Sequence, residues 1–241
     1  VEKEHQAEIL ELLRKYEDLK KEELDKKARE IMASAIERYA HSNVSEITTS
    51  IVDLPSDDVK GKIIGREGRN IRHFEKLTGV EVIIDDSPST IILSSFDPVR
   101  REISRLALEK LIADGRIQPA KIEEKVLEAQ AEIREEIKKA GEETVYEAGI
   151  LDLPPEIVHL LGRLKFRTSY GQNALAHSLE VCLLSGALAS ELGAKVEIAK
   201  KAGLLHDIGK AVDQEIEGTH LELGRRILQK YQMPEEVIKA M

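Results

Sequence analysis

The chain has 241 residues, 41% hydrophobic and 34% charged, with a formal net charge of −9 and a single cysteine, Cys182. That length accommodates one large or two small domains with a real core, and the acidic balance excludes attraction to nucleic acid or anionic lipid by the overall field, so such binding needs a local basic patch. One cysteine excludes an internal disulfide and a cysteine-based zinc cluster; Cys182 lies in an apolar helical run and reads as core.

The first forty residues contain almost no Gly or Pro, and Ile9, Leu12, Tyr16 and Leu19 form a heptad-like stripe that Leu24, Ala28, Ile31 and Ala35 resume after a slip. Residues 1–43 are therefore expected to be a coiled-coil stalk helix that pairs with a second copy. "EITTSIVDLP" is β-branched and reads as a strand. "PSDDVKGKII" reads as a short helix capped by Ser56, with aspartates at its positive end. "GREG" interrupts it, and "RNIRHFEKLTG" resumes a helix that ends at Gly79. "VEVIID" and "TIILSS" are two strands joined through "DSPS". "FDPVRREISRLALEKLIADG" is a helix with Asp97 at the cap, Pro98 in the first turn and Gly115 past the end. The order β-α-α-β-β-α over residues 44–116 makes a small α+β domain.

Between its first two helices, "KGKIIGREGRNIR" places Gly65 and Gly68 around Arg66 and Glu67. Glycine admits close backbone approach, and the free N–H groups of the following helix face whatever lies over the loop. Lys60, Lys62, Arg66, Arg69 and Arg72 against Glu67 give a local balance of +4 in a chain of −9. In this order of elements the stretch resembles a KH domain, whose GxxG loop clamps about four single-stranded nucleotides. Lys62, Gly65, Arg66, Glu67, Gly68 and Arg69 are then the RNA-binding residues. Ile63, Ile64 and Ile71 are core and groove floor, and His73 and Phe74 serve packing or the helix surface. Aspartates at 65 and 68 are expected to weaken RNA binding without unfolding the domain.

Residues 117–150 read as a connector helix with an apolar stripe at Ile122, Val126, Ala129, Ile133, Ile137 and Ala140. Gly149 and Pro154–Pro155 punctuate the next junction, and 151–241 is all-helical by pattern. The most apolar stretch, 174–192, is interrupted by His177, Ser178 and Glu180, so no run suits a bilayer span. No signal peptide is visible. His177 falls on the apolar side of its helix, His206 and Asp207 end the next helix in "LLHDIGKAVD", and His220 starts the one after. Imidazole and carboxylate together suit a borderline divalent ion such as Mn, Fe, Co or Zn. Adjacent helical residues point about 100° apart, so His206 and Asp207 can meet one ion only where the helix ends. Gly209 is expected to let substrate approach, and Lys210 to offer its charge to a phosphate.

An upstream histidine with an His–Asp doublet resembles the HD superfamily of metal-dependent phosphohydrolases. The whole series (stalk, "IIGREGRNI", connector, "RTSYGQNALAHSLEV" and "LLHDIGKAVD") resembles the ribonuclease Y family. The resemblance implies a fold of α+β multidomain type: coiled-coil helix, βααββα KH domain and an incomplete all-α HD domain. It implies a metal-dependent endoribonuclease that hydrolyses single-stranded RNA and initiates mRNA decay in bacteria. It implies a homodimer through the stalk, tethered to the cytoplasmic side of the cell membrane by an upstream segment that this chain lacks. His177, His206, Asp207 and His220 would hold a divalent ion (Mn, Mg or Zn), with Asp207 and Lys210 catalytic. The chain opens on Val1 and stops at Met241 within a helical pattern. It is therefore expected to be a fragment without the later HD ligands, to bind RNA without turnover, and to leave Leu179, Leu183 and Leu204 uncovered. The alternatives are an RNA-binding scaffold with a passive HD module, and an HD phosphohydrolase of free nucleotides, which needs no strand-clamping groove.

Overall fold

The computed structural model describes part of 20–32 and residues 48–84, 90–169 and 171–241. Most of the expected stalk lies outside the described residues. Within it Leu24, Ala28 and Ile31 are helical, with Leu24 and Ala28 exposed.

The first unit is β1 (Thr49–Asp53), α1 (Asp57–Ile64), a 3-10 turn (Arg66–Gly68), α2 (Arg69–Thr78), β2 (Glu81–Ile83), β3 (Thr90–Ser94) and α3 (Pro98–Asp114). β3 is the central strand, antiparallel to both neighbours, with Val52 opposite Ile91 and Val82 opposite Leu93. Alternate strand residues point to one face, so Val52, Val82, Ile91 and Leu93 enter the core while Ile51 and Ile83 stay outside. Asp97 caps α3 as expected, accepting from the backbone N–H of Val99 at 2.9 Å and of Arg100 at 3.1 Å. Ser56 occupies the cap position of α1, but its side chain accepts no cap hydrogen bond, so that expectation fails.

α4 (Pro119–Ala148) is one unbroken helix of 30 residues, started by a proline and stopped by Gly149 in the left-handed region. All six residues of its expected stripe are buried. Ile122, Val126 and Ala129 pack with the β-sheet unit, whereas Ala140, Val145 and Ala148 pack with the helices that follow.

Those helices are α5 (Pro155–Arg163), α6 (Ala174–Glu191), α7 (Val196–Leu205), α8 (His220–Lys230) and α9 (Glu235–Ala240), with 3-10 turns at Leu164–Phe166 and Ile208–Ala211. The region is not purely helical. A two-stranded ribbon, β4 (Thr168–Ser169) with β5 (Gln172–Asn173), turns the chain back before α6. Asn173 then caps α6, accepting from the N–H of Leu175 and Ala176, both at 3.1 Å. A second correction concerns the faces expected to be bare: Leu204 is fully buried and Leu179 packs against the same core, because α7 and α6 lie directly on each other. Cys182 is fully buried there, as expected. Among the described residues no helix is long and apolar enough to cross a membrane.

α5 meets α4 through glycines. A methyl group at Gly162 would sit 1.9 Å from the Ile137 carbonyl oxygen, and one at Gly141 would sit 2.2 Å from that of Val158. Gly162→Ala is therefore expected to cost about 2 kcal/mol or more of unfolding free energy in urea titrations. Gly61→Ala, on α1 with nothing within 4 Å, should be neutral or mildly stabilising. Burial also pushes the Cys182 thiol up to about 11. Its reaction with a thiol reagent at pH 8 should then track global unfolding, with no fast phase in the native protein.

Candidate functional site

α7 ends at Leu205. His206 keeps helical angles, whereas Asp207 turns to φ −105° and ψ 12° and leads the 3-10 turn. This break sets the two adjacent side chains on one side, as the doublet requires. His177, one turn into α6, joins them: one donor atom from each of His177, His206 and Asp207 lies within 4.8 Å of the others. The His177 and His206 rings meet edge to face with centroids 5.2 Å apart.

The donor chemistry fits a cation. His206 Nδ1 lies 2.8 Å from the Gly203 carbonyl oxygen, which can only accept, so Nδ1 carries the proton and Nε2 presents a lone pair. That Nε2 faces Asp207 Oδ2 at 3.4 Å, and two electron-rich atoms so placed need a proton or a metal between them. His177 Nδ1 is buried with no hydrogen-bond partner. Burial, then the neighbouring His206, lowers the His177 pKa and favours the neutral ring that a metal takes. Burial pulls His206 down, but its hydrogen bonds to Asp207 and Gly203 and the Asp207 charge outweigh it, and the net shift is upward. Burial would raise Asp207, yet His206 and Lys210 hold its carboxyl well below the usual carboxylate range.

The remaining expected residues sit around this trio. His220 Nε2 is 4.0 Å from the other oxygen of Asp207, outside the three-residue cluster. Lys210 Nζ is tied to Asp207 Oδ2 at 2.8 Å and is mostly buried. Gly209 does not open the site. A methyl group there would lie 1.8 Å from the His220 carbonyl oxygen, so the glycine exists to let the 3-10 turn touch the start of α8. That contact, together with the Thr219–Glu222 capping box on α8, sets where His220 stands.

The glycine loop lies against the start of α4. Gly65 and Gly68 have φ of 70° and 72°, and Glu67 is also left-handed at 56°. Arg66, Glu67 and Arg69 are exposed there and line a cleft of about 770 Å³ with Lys76 and Pro119; Lys62 is exposed one turn earlier. The sequence reading missed the anchor. Buried Asn70 donates through Nδ2 to the carbonyls of Lys62 and Ile117, both at 2.9 Å, and so ties the loop to the start of α4. Arg72 folds back to donate to the carbonyls of Glu67 and Gly68. Phe74 is core, and His73 pairs with Glu123 at 3.0 Å. Also missed was Arg167, which reaches Asp213 at 3.3 Å in the loop after Lys210; Arg167 Nε and Asp213 Oδ1 have no partner. An arginine within "RTSYGQN" carries no spacing that would announce it. A second cleft of about 720 Å³ runs along α4 past Tyr146 and Leu151, away from both sites.

The KH domain family matches residues 48–105 and the HD domain family matches residues 174–241. The chain thus carries a KH domain followed by an HD domain. Along all 241 residues it is similar to proteins named Ribonuclease Y. It is 58% identical to the one from Desulforamulus reducens, 55% to that from Alkaliphilus metalliredigens and 56% to that from Oceanobacillus iheyensis. The alignment covers 100% of this chain and 47%, 51% and 46% of those relatives, so the chain spans about half the length of the curated relatives it matches. No solved structure matches.

The loop geometry revises the expected effect of aspartates. A Cβ at Gly65 would fall 2.7 Å from Asn70 Cγ, whereas one at Gly68 would make ordinary contacts with the Arg72 side chain at 3.5 Å and Ile71 at 3.7 Å. Gly65→Asp should therefore lower the melting temperature by several degrees, because it displaces the anchor. Gly68→Asp still pays for its left-handed backbone but should fall distinctly less in the same calorimetric scan.

Proposed function

We propose that this chain supplies the RNA-clamping and hydrolytic parts of a metal-dependent endoribonuclease that cuts single-stranded RNA and starts mRNA decay. The observation that carries the reading is the facing pair His206 Nε2 and Asp207 Oδ2 at 3.4 Å, with His177 in the same cluster. His177, His206 and Asp207 would hold a divalent ion, with His220 approaching from the second Asp207 oxygen. When bound, such an ion lowers the pKa of water and polarises a phosphoryl oxygen.

The protein's own groups do the rest. Gly203 fixes the His206 tautomer. Asp207, ionised by its neighbours, accepts from an attacking water and orients it. Lys210 holds a positive charge beside Asp207, where it offsets charge developing on the phosphoryl oxygens. Lys62, Arg66 and Arg69 meet the RNA backbone around the loop, where Gly65, Glu67 and Gly68 let the strand approach. A clamp for a strand is superfluous for free nucleotides, which favours RNA over the nucleotide-phosphohydrolase alternative. We further propose a homodimer through the N-terminal helix and, by resemblance, attachment to the cytoplasmic face of a bacterial membrane through a segment outside this chain.

The reading separates affinity from chemistry. Asp207→Ala in the intact nuclease should abolish Mn- or Mg-dependent cleavage and weaken metal binding by calorimetry. Its RNA affinity should stay within about threefold, because the clamp lies on other elements. Full cleavage by this variant in chelator would sink the metal reading. Among the described residues three donors cluster, and the resemblance implies one further carboxylate ligand, so the 241-residue chain alone should bind metal weakly and turn over little RNA. Its RNA affinity should fall with salt at a log–log slope of about −3, as about four backbone contacts to a single strand require.

A further inference from the structure

Two landmarks set the distance between the clamp and the metal centre. The glycine-loop cleft reaches α4 at Pro119. The metal-centre side reaches α4 at Glu136, which pairs with Lys165 at 2.7 Å, and the Lys165 carbonyl accepts from Asn173, the cap of the helix that carries His177. The KH side reaches the same level. Gln214, just past the metal turn, donates to the Phe96 carbonyl at 3.0 Å with its amide correctly oriented. At about 1.5 Å per residue the stretch of α4 between Pro119 and Glu136 is roughly 25 Å long. Four clamped nucleotides at a stacked rise of about 3.4 Å reach only about 14 Å.

At the metal end of this gap stands Phe96. It is 81% exposed, the highest value among the described hydrophobic side chains, on the turn between β3 and α3. Nothing in the β-sheet core uses it. Its surroundings carry both charges. Arg100, on the first turn of α3, pairs with Asp97 at 3.2 Å, and Arg167 pairs with Asp213 at 3.3 Å. Arg101 lies near Glu102 and Asp97 and close enough to Arg167 for their like charges to oppose each other. An exposed ring beside cations is the arrangement that stacks a base while the backbone is neutralised. A ring with no polar function left in water is otherwise unfavourable.

We propose that Phe96 is an RNA-stacking residue at the metal-proximal end of one continuous binding path, so the chain recognises an unpaired run of about ten nucleotides rather than the four of a KH clamp. The inference deepens the ribonuclease reading and rests on it for the identity of the ligand. About seven stacked nucleotides cross the gap, and fewer do if the strand is extended. The scissile bond then lies outside the clamped tetranucleotide.

The test is equilibrium binding of the 241-residue chain to an unstructured RNA series from four to about sixteen nucleotides, read by fluorescence anisotropy. Affinity should rise steeply between four and about ten nucleotides and then level. Phe96→Ala should remove about tenfold of affinity for the longer RNAs and leave the tetranucleotide unaffected, in line with the loss of one base stack. Phe96→Tyr should retain the native profile, since the ring is what matters. Circular dichroism should show the same melting for all three, because the side chain contributes nothing to the core. An affinity that is already maximal at four nucleotides, or a Phe96→Ala profile identical to the native one, overturns the proposal. The readout does not depend on turnover. An intact protein that binds with this length profile but cleaves no RNA would end the nuclease reading and leave the stacking site standing.

Discussion

Everything in this molecule hangs on one helix serving two cores. The buried stripe of α4 begins in the β-sheet unit at Ile122 and ends among the later helices at Ala148, without a break between. Gly141 and Gly162 bring α5 to backbone contact with its second half, closer than any side chain would permit. A helix held on both halves cannot swing freely at its middle. The glycine loop at its start and the turn that carries His206 and Asp207, which reaches it through Lys165 at Glu136, are therefore fixed in spacing, and a spacing that is fixed can be read by a ligand. Ion pairs such as Lys110–Glu132 and Lys165–Glu136 tie α4 to each neighbour, but they are exposed and each contributes little. The apolar stripe and the glycine contacts do the holding.

Where the sequence carried local punctuation, the structure was legible in it. Asp97, Pro98 and Gly115 bound α3, and Pro119 and Gly149 bound α4, because caps and stops act within a few residues. The βααββα order was legible for the same reason, since strands and helices have different periods. The ribbon at 168–173 was not: strands of two residues have no period to show. Ser56 has the right residue type for a cap and does not act as one, because residue type alone does not place an oxygen over an N–H group.

The candidate site shows the same division. The histidine–aspartate doublet was readable as a pair that must sit at a helix end, and the chain does leave helical angles at Asp207. Gly209 was misread, since its purpose is set by α8, whose approach depends on the whole helical packing. Asn70 could not be found at all from sequence. Its two acceptors lie eight residues before and 47 residues after it, and only the folded chain brings them together.

The polar atoms left without partners lead to the final point. Buried polar groups are nearly always paired, so unpaired ones concentrate where a ligand completes the set. Among the described residues only a handful of buried side-chain atoms lack a partner. His177 Nδ1 belongs to the cluster with His206 and Asp207, and Arg167 Nε and Asp213 Oδ1 belong to an ion pair on the loop that follows. Burial pushes the Asp213 carboxyl up, against the opposing pull of Arg167 beside it. Asn70 Oδ1 lies apart, at the glycine loop, whereas these three atoms lie between α6, the 3-10 turn and the junction with the β-sheet unit. There a cation would complete the nitrogen and carboxylate donors, and a phosphate would complete the guanidinium.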